Sequence, residues 1–359
     1  IYKSSSSGWV NVPLFNEISF TAGAVATPAD GATLTQGGVT ATVKRVCLQS
    51  GAWTGSAAGR FIVTNPAGGN FAAGAATLTG GATVTLSGVQ TAITIAVGGR
   101  YEFDIGNVFG QASSVRAYGC DGVNRGFEFD GETYAPITTG TSTDVPSHVI
   151  VHQQQLFFSF RTSIIHSGPG APFNWSAAGG ASEIGLGNTV TNFLKQPGSS
   201  TPALGISTVD NVHVLYGSAA SGAGLWSRVA LNMGIGGIPR TAQMLNQTFW
   251  MDDPGVINMR AAQEFGNFRA SSITSNIQPF VTTQRSLVVM STTHREKSQY
   301  RVYFSDGQAL YVTLLNGKLL GSGKVLFPNP LYCVWAAETS DFSEKLYAGA
   351  ASSGYVYEL

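Results

Sequence analysis

The chain has 359 residues, with 20 basic and 20 acidic side chains, so its formal net charge is zero. Charged residues make up 11 % of it, against about 25 % in ordinary soluble domains, while hydrophobic residues reach 43 % and glycine occupies 45 positions. Neutrality without a basic run excludes a protein that grips nucleic acid by its phosphates. No apolar run attains the roughly 18 residues of a membrane helix, and no secretory leader pattern is present.

Few charges with much Gly, Ser and Thr predict short strands, tight turns and a surface solubilised by hydroxyls and amides. They also predict that part of this surface is covered by neighbours, because a free monomer usually carries more charge. The chain starts at Ile1 rather than Met, as expected if an N-terminal portion precedes it.

Residues 1–99 are dominated by Gly, Ala, Thr and Val. Gly31–Lys44 (GATLTQGGVTATVK) and Gly74–Gly88 (GAATLTGGATVTLSG) echo each other. Each has a Thr-Leu-Thr strand, a Gly-Gly turn and a returning Thr/Val strand. Thr and Val favour pleated, half-buried surfaces, and Gly-Gly supplies the positive φ of a tight hairpin. This stretch is expected to form a β-rich accessory module, a sandwich or a barrel.

From Arg100 aromatics become frequent and strands lengthen. Five hairpin turns stand out: Gln153-Gln154, Asp210-Asn211, Pro254-Gly255, Asp306-Gly307 and Ser353-Gly354. The fourth is the clearest, with Gln299–Ser305 and Ala309–Leu315 alternating on either side of Asp-Gly; Leu287–Met290 supplies a further strand at the edge of the same sheet. The turns recur about every 45–55 residues, near the period of a four-stranded propeller blade. The expected fold is all-β: a β-propeller of five or six blades over 100–359 beside the 1–99 module. Asn192–Gln196 and Met259–Phe265 could each form a short helix at most.

Candidate chemistry is sparse. His148 and His152 would lie on one strand face about 13 Å apart, too far to share a metal. His166 precedes Ser167-Gly168-Pro169-Gly170 but lacks a nucleophile elbow. Asp252 and Asp253 are adjacent and point to opposite faces of a strand. Gly234–Gly237 lacks the Lys-Ser/Thr of a phosphate loop. Trp175, Trp250 and Trp335 each fall in strand-like runs and are expected in the core. Cys47, Cys120 and Cys333 form no metal or disulfide spacing and are expected as buried thiols, compatible with cytosolic assembly. Glu338–Lys345 is expected to be a solvated loop. No catalytic, cofactor or metal residue is assigned. The one charged cluster, Arg295, Glu296 and Lys297 within Thr293–Lys297, is expected to contact a neighbouring blade or subunit.

Several segments of 100–359 resemble the tail nozzle proteins (tail tubular protein B-like) of short-tailed bacteriophages: Gly122–Gly131, His148–Phe160, His166–Trp175, Ala242–Asn267, Arg295–Thr313, Pro328–Trp335 and the closing SGYVYEL. Related wording also occurs in virion proteins of some long-tailed phages. The resemblance implies a structural, non-enzymatic virion protein, assembled in the host cytoplasm as a homohexameric tube in the viral tail. Its implied partners are a tail adaptor ring, tail fibres or spikes, and the DNA that passes transiently through the lumen during genome ejection. Neutrality suits a conduit without a basic belt along its bore. The alternatives are a carbohydrate-binding or glycan-cleaving propeller, which requires convergent acids and exposed tryptophans, and another tail or baseplate component.

Overall fold

A computed structural model describes residues 1–5, 8–110, 114–196, 203–217, 226–262, 267–315, 318–339 and 341–359, with backbone alone at 232–233, 260–262 and 267–271. The fold is all-β with a propeller arrangement. Six antiparallel meander sheets follow a β-rich module, and the chain divides into two compact units at Gly185/Leu186.

The first unit opens with a two-stranded hairpin, Tyr2–Ser5 and Gly8–Asn11. The module behind it is a barrel. Asn16–Ala24, Thr83–Leu86, Gly74–Leu78, Thr33–Gln36, Val39–Ser50 and Ala57–Val63 pair in that order, and the last returns to pair with the first. Thr91–Ala92 adds to one end of Asn16–Ala24. The anticipated Gly-Gly hairpins are both present, with Gln36 paired to Val39 across Gly37-Gly38 and Thr77 paired to Thr83 around Gly80-Gly81. Alternation fills the barrel with Leu34, Val43, Phe61, Phe71, Leu78, Val84 and Leu86. Phe20 and Phe61 stack inside it with ring centroids 4.2 Å apart.

Two blades complete this unit. Blade 1 comprises Glu102–Gly106, Arg116–Cys120, Phe127–Phe129 and Tyr134–Pro136. Blade 2 comprises Val149–His152, Gln155–Phe160, Ser163–His166 and Ser182–Gly185. Their first strands lie side by side, and Glu102 and Asp104 of blade 1 accept hydrogen bonds from the blade 2 backbone at Val149 and Val151.

The second unit holds four sheets. Blade 3 is Val190–Lys195, Ala203–Thr208, Asn211–Tyr216 and Ser227–Met233. Blade 4 is Gln243–Met244, Thr248–Asp252, Gly255–Ala262 and Asn267–Ser272. Blade 5 is Val288–His294, Gln299–Phe304, Gln308–Leu315 and Lys318–Leu326. Blade 6 has three strands, Leu331–Glu338, Glu344–Ala350 and Val356–Glu358. Apolar residues of successive sheets interleave between them: Val214 with Trp250 and Ile257, Phe249 with Tyr300 and Val302, and Tyr303 with Val334 and Leu346.

All five hairpins are present, with one change of role. Gln153 and Gln154 have φ of +46° and +59°, the mirror-image turn that suits a two-residue hairpin. They join the first and second strands of blade 2, whereas the other four turns join second and third strands. The equivalent turn in blade 2 falls at Arg161, whose φ is +51°. In blade 3 the loop residues are Val209 and Asp210, because Asn211 already pairs with Met233. Blade 1 contains none of the five.

The two short-helix expectations fail. Asn192–Gln196 lies almost wholly in the strand Val190–Lys195, which is buried on both faces and therefore shows no alternation. Met259–Ala262 continues a strand, and 263–265 lie outside the described residues. The α-helix among the described residues is Gln278–Gln284, with Pro279 in its first turn.

Candidate assembly surfaces

The charged cluster lies in the turn between the first two strands of blade 5. Glu296 meets blade 6 reciprocally: its Oε1 accepts from the Glu344 backbone N–H at 3.0 Å, and its own N–H donates to Glu344 Oε2 at 3.2 Å. The same Glu344 oxygen lies 3.0 Å from His294 Nδ1. Burial, with Arg301 and Lys297 nearby, holds the His294 pKa below its ordinary value despite Glu344. The imidazole is therefore neutral at pH 7 and the contact is not an ion pair. Arg295 and Lys297 are exposed. The expected solvated loop Glu338–Lys345 needs correcting at Glu344, whose side chain is only 10 % exposed because the seam covers it.

A second polar junction, not anticipated from sequence, fastens the barrel to blade 1. Arg45 reaches Glu128 at 2.7 Å and Asp30 at 2.9 Å, and its guanidinium lies over the rings of Phe109 and Phe173. Tyr118 donates its hydroxyl to Glu128 at 3.1 Å. Burial opposes the charge on Arg45, but Glu128 and Asp30 outweigh it and push its pKa up. Nearby, Glu17 pairs with both Arg60 and Arg125, and Arg60 also donates to the carbonyl of Pro136. Burial raises the Glu17 carboxyl, yet the two guanidinium groups leave it below its ordinary range. Apolar contact continues the junction, for Cys47 and Ile62 of the barrel share a core with Tyr118, Phe127, Val149 and Phe158. Lys3, Glu17, Asp30, Lys44, Arg45 and Arg60 are the charged residues of 1–99. Their scarcity in such a polar-neutral stretch was the available signal.

The other candidates resolve into structural parts. His148 is buried with Nδ1 2.9 Å from Glu102, and His152 is a separate, half-buried residue beside Gln153. His166 is buried between Gln155, the Ser167 carbonyl and Ser182; burial lowers its pKa. The Ser167 hydroxyl is consumed by backbone bonds from Leu156 and to Gly168. Asp252 is buried and accepts from the Gly236 N–H at 2.8 Å, whereas Asp253 is exposed and pairs with Arg285. Gly234–Gly237 thus serves as a backbone donor to Asp252, not as a phosphate cradle. No group of His, Cys, Asp and Glu among the described residues could hold a metal ion.

Two sequence expectations need correction here. Trp250 is fully buried and donates to the Gly236 carbonyl at 2.8 Å. Trp175, however, sits in a loop rather than a strand and stacks half-buried on Phe158, while Trp335 is 45 % exposed because it lies on the outer face of the last sheet. Cys47 and Cys120 are buried free thiols, but Cys333 is exposed on that same outer face. Burial pushes the Cys47 thiol up to about 12.

No protein family and no curated protein matches this sequence. Among solved structures, the chain is similar to the N-terminal part of BBS1 in complex with ARL6 (13 % identity, TM-score 0.44, 69 % of this chain and 76 % of that one). It is similar to streptogramin B lyase (10 %, 0.45, 72 % and 86 %). It is also similar to the extracellular domain of a hybrid two-component system from B. thetaiotaomicron (11 %, 0.43, 74 % of this chain and 35 % of that one). No helix among the described residues is long and apolar enough to cross a membrane.

Proposed function

We propose that this chain is a structural subunit of a phage tail. Copies of it form a tube, the nozzle, through which the genome is ejected and to which tail fibres or spikes dock beneath an adaptor ring. The observation that carries this reading is the run of segments resembling nozzle proteins across 100–359, the same stretch that folds as meander blades. The surface supports it. Large apolar side chains are exposed on a single copy, among them Tyr2, Trp9, Trp335, Phe342 and Tyr355, and a low-charge surface of this kind calls for neighbours. The candidate histidines, acids and Ser167 are held in structural bonds, and no catalytic role is proposed for them.

Native mass spectrometry and electron microscopy of the purified protein test this proposal. A six-fold tube is the expected result. A stable monomer that hydrolyses a glycan would overturn it. One observation favours the glycan-binding alternative: Trp335 and Tyr347 are cross-strand neighbours, both exposed on the last sheet. Glycan-array binding abolished by Trp335→Ala would support that reading instead.

A further inference from the structure

Arg301 of blade 5 is 4 % exposed and carries a charge that no acid answers. Arg45 and Arg60 of the barrel junction each meet a carboxylate, but Arg301 forms no ion pair among the described residues. Its Nε and Nη2 donate to one neutral atom, Gln299 Oε1, at 3.0 and 2.7 Å, which leaves the Nη1 donors over. Its guanidinium lies 4.2 Å from the centre of the Tyr311 ring. The Tyr303 hydroxyl, sealed from solvent beside Arg301 and Tyr311, makes no hydrogen bond of normal geometry. Burial lowers the His294 pKa and raises that of Tyr303, so the imidazole is uncharged and the phenol keeps its proton. Glu344 is engaged by His294 and by the Glu296 N–H. A buried charge is ordinarily paired, and this one has only neutral partners.

The strand register gives the approach to it. Arg301 pairs with Tyr311 and Tyr311 with Gly323, while Gln299 pairs with Thr313 and Thr313 with Gly321. Cross-strand partners share a face, here the face that Tyr303 turns towards blade 6. The adjacent row, Tyr303, Ala309 and Val325, is covered by Val334 and Leu346 of that blade. The Arg301 and Gln299 rows instead end in glycines, and a Cβ added at Gly321 or Gly323 would meet nothing within 4 Å. Together they form an open shelf whose inner end is basic. Gln299 braces that end, because its Nε2 donates to Thr313 Oγ1 at 3.1 Å while its Oε1 holds the guanidinium. Thr313 accepts there and keeps its own hydroxyl proton to donate. We propose that the shelf binds a small oxyanion, a carboxylate or phosphate group, held by the Arg301 donors that Gln299 leaves over and by the Thr313 hydroxyl. A braced guanidinium suits forked recognition of such groups. The site lies wholly within the second unit and does not depend on the nozzle reading.

Isothermal titration of the full chain with sodium phosphate, and separately with sodium acetate, tests it at an ionic strength held constant with sodium chloride. A saturable single site for at least one of the two anions is expected, and the bound anion should raise the urea midpoint of the second unit. The anion that binds identifies the group the shelf takes. Arg301→Met should abolish binding and leave the midpoint in chloride at or above that of the wild type, because an apolar side chain replaces a buried charge that has no counter-ion. Gly323→Val has room for its side chain, so it should fold normally and lose binding by filling the shelf; it decides the matter should Arg301→Met fold poorly. Saturable binding that is absent from the wild type, or that survives in Arg301→Met or in Gly323→Val, overturns the inference.

Discussion

Replacing Glu128 by Ala probes how the barrel is held to blade 1. Glu128 is 1 % exposed, and its partner Arg45 retains only 12 % of its side-chain exposure. Breaking a buried pair by deleting one member costs about 3–5 kcal/mol, because the remaining charge is stranded. Arg45 still keeps Asp30 and the faces of Phe109 and Phe173, which brings the expected cost to the lower end, about 3 kcal/mol. The Tyr118 hydroxyl, left without its acceptor, adds about 1 kcal/mol. A chain of 359 residues with two compact units need not unfold in one step, so hydrogen exchange is the assay to use. Amides of Val39–Ser50 and Arg116–Cys120 should lose protection together, while those of Gln299–Phe304 stay unchanged. Glu128→Gln should recover part of the loss, because an amide oxygen can still accept from Tyr118. The exposed pair Lys345–Glu358 is the control, and Lys345→Gln should leave the protection of Val39–Ser50 and Arg116–Cys120 unchanged. If Glu128→Ala costs no more than that control, the barrel is not anchored by this pair and the argument fails.

Four further outcomes are expected. Trp250→Ala should destabilise the second unit by about 3–5 kcal/mol, because a fully buried indole and its bond to Gly236 are lost together; Trp335→Ala should fall within about 1 kcal/mol by urea unfolding. Gly307 sits at φ +87°, and an added Cβ would approach the Phe327 carbonyl at 3.0 Å. Gly307→Ala should therefore cost about 1–2 kcal/mol, and an unchanged urea midpoint would contradict the turn geometry. Burial holds His166, His213 and His294 below the ordinary histidine pKa in the folded chain. The unfolded chain then binds protons first as pH falls through about 6.5, so stability should drop between pH 7 and pH 5, and His166→Gln should flatten that slope. Glu17 has the opposite origin and the same direction: its depressed pKa stabilises the fold above about pH 4.5 and that contribution fades in stronger acid.

The hairpins were legible because their chemistry is local. Asp306-Gly307, Gly37-Gly38 and Gly80-Gly81 each need a particular φ, and the residue types announce it. The number of sheets was harder, since blade 1 turns through Asp121, whose carboxylate accepts the Val123 and Asn124 amides at 2.9 and 2.6 Å, rather than through a Gly-type hairpin. Val190–Lys195 escaped detection because burial on both faces erases the alternation that marks a strand. The helix Gln278–Gln284 was missed although Pro279 marks its first turn. The barrel's closure and the Arg45–Glu128 junction are long-range facts. Glu17 and Arg125, or Arg45 and Glu128, become partners only when strands far apart in the chain meet.

The scarcity of charge has a structural consequence that composition alone does not convey. Arg45, Arg60, Glu17 and Glu128 sit inside the barrel–blade junction, Asp252 is sealed against Gly236, and Glu344 is drawn into the blade 5–blade 6 seam. The chain therefore commits part of a small set of charges to internal fastening, which removes them from an already sparsely charged exterior. A barrel tied to its first blades by ion pairs that solvent cannot readily screen presents a fixed surface, and a fixed surface loses little conformational entropy on binding. The same economy leaves hydroxyls, amides and aromatic rings to make the outer contacts. In the tube proposed above, contacts of that kind would depend on shape complementarity rather than on long-range attraction, and so would respond little to salt.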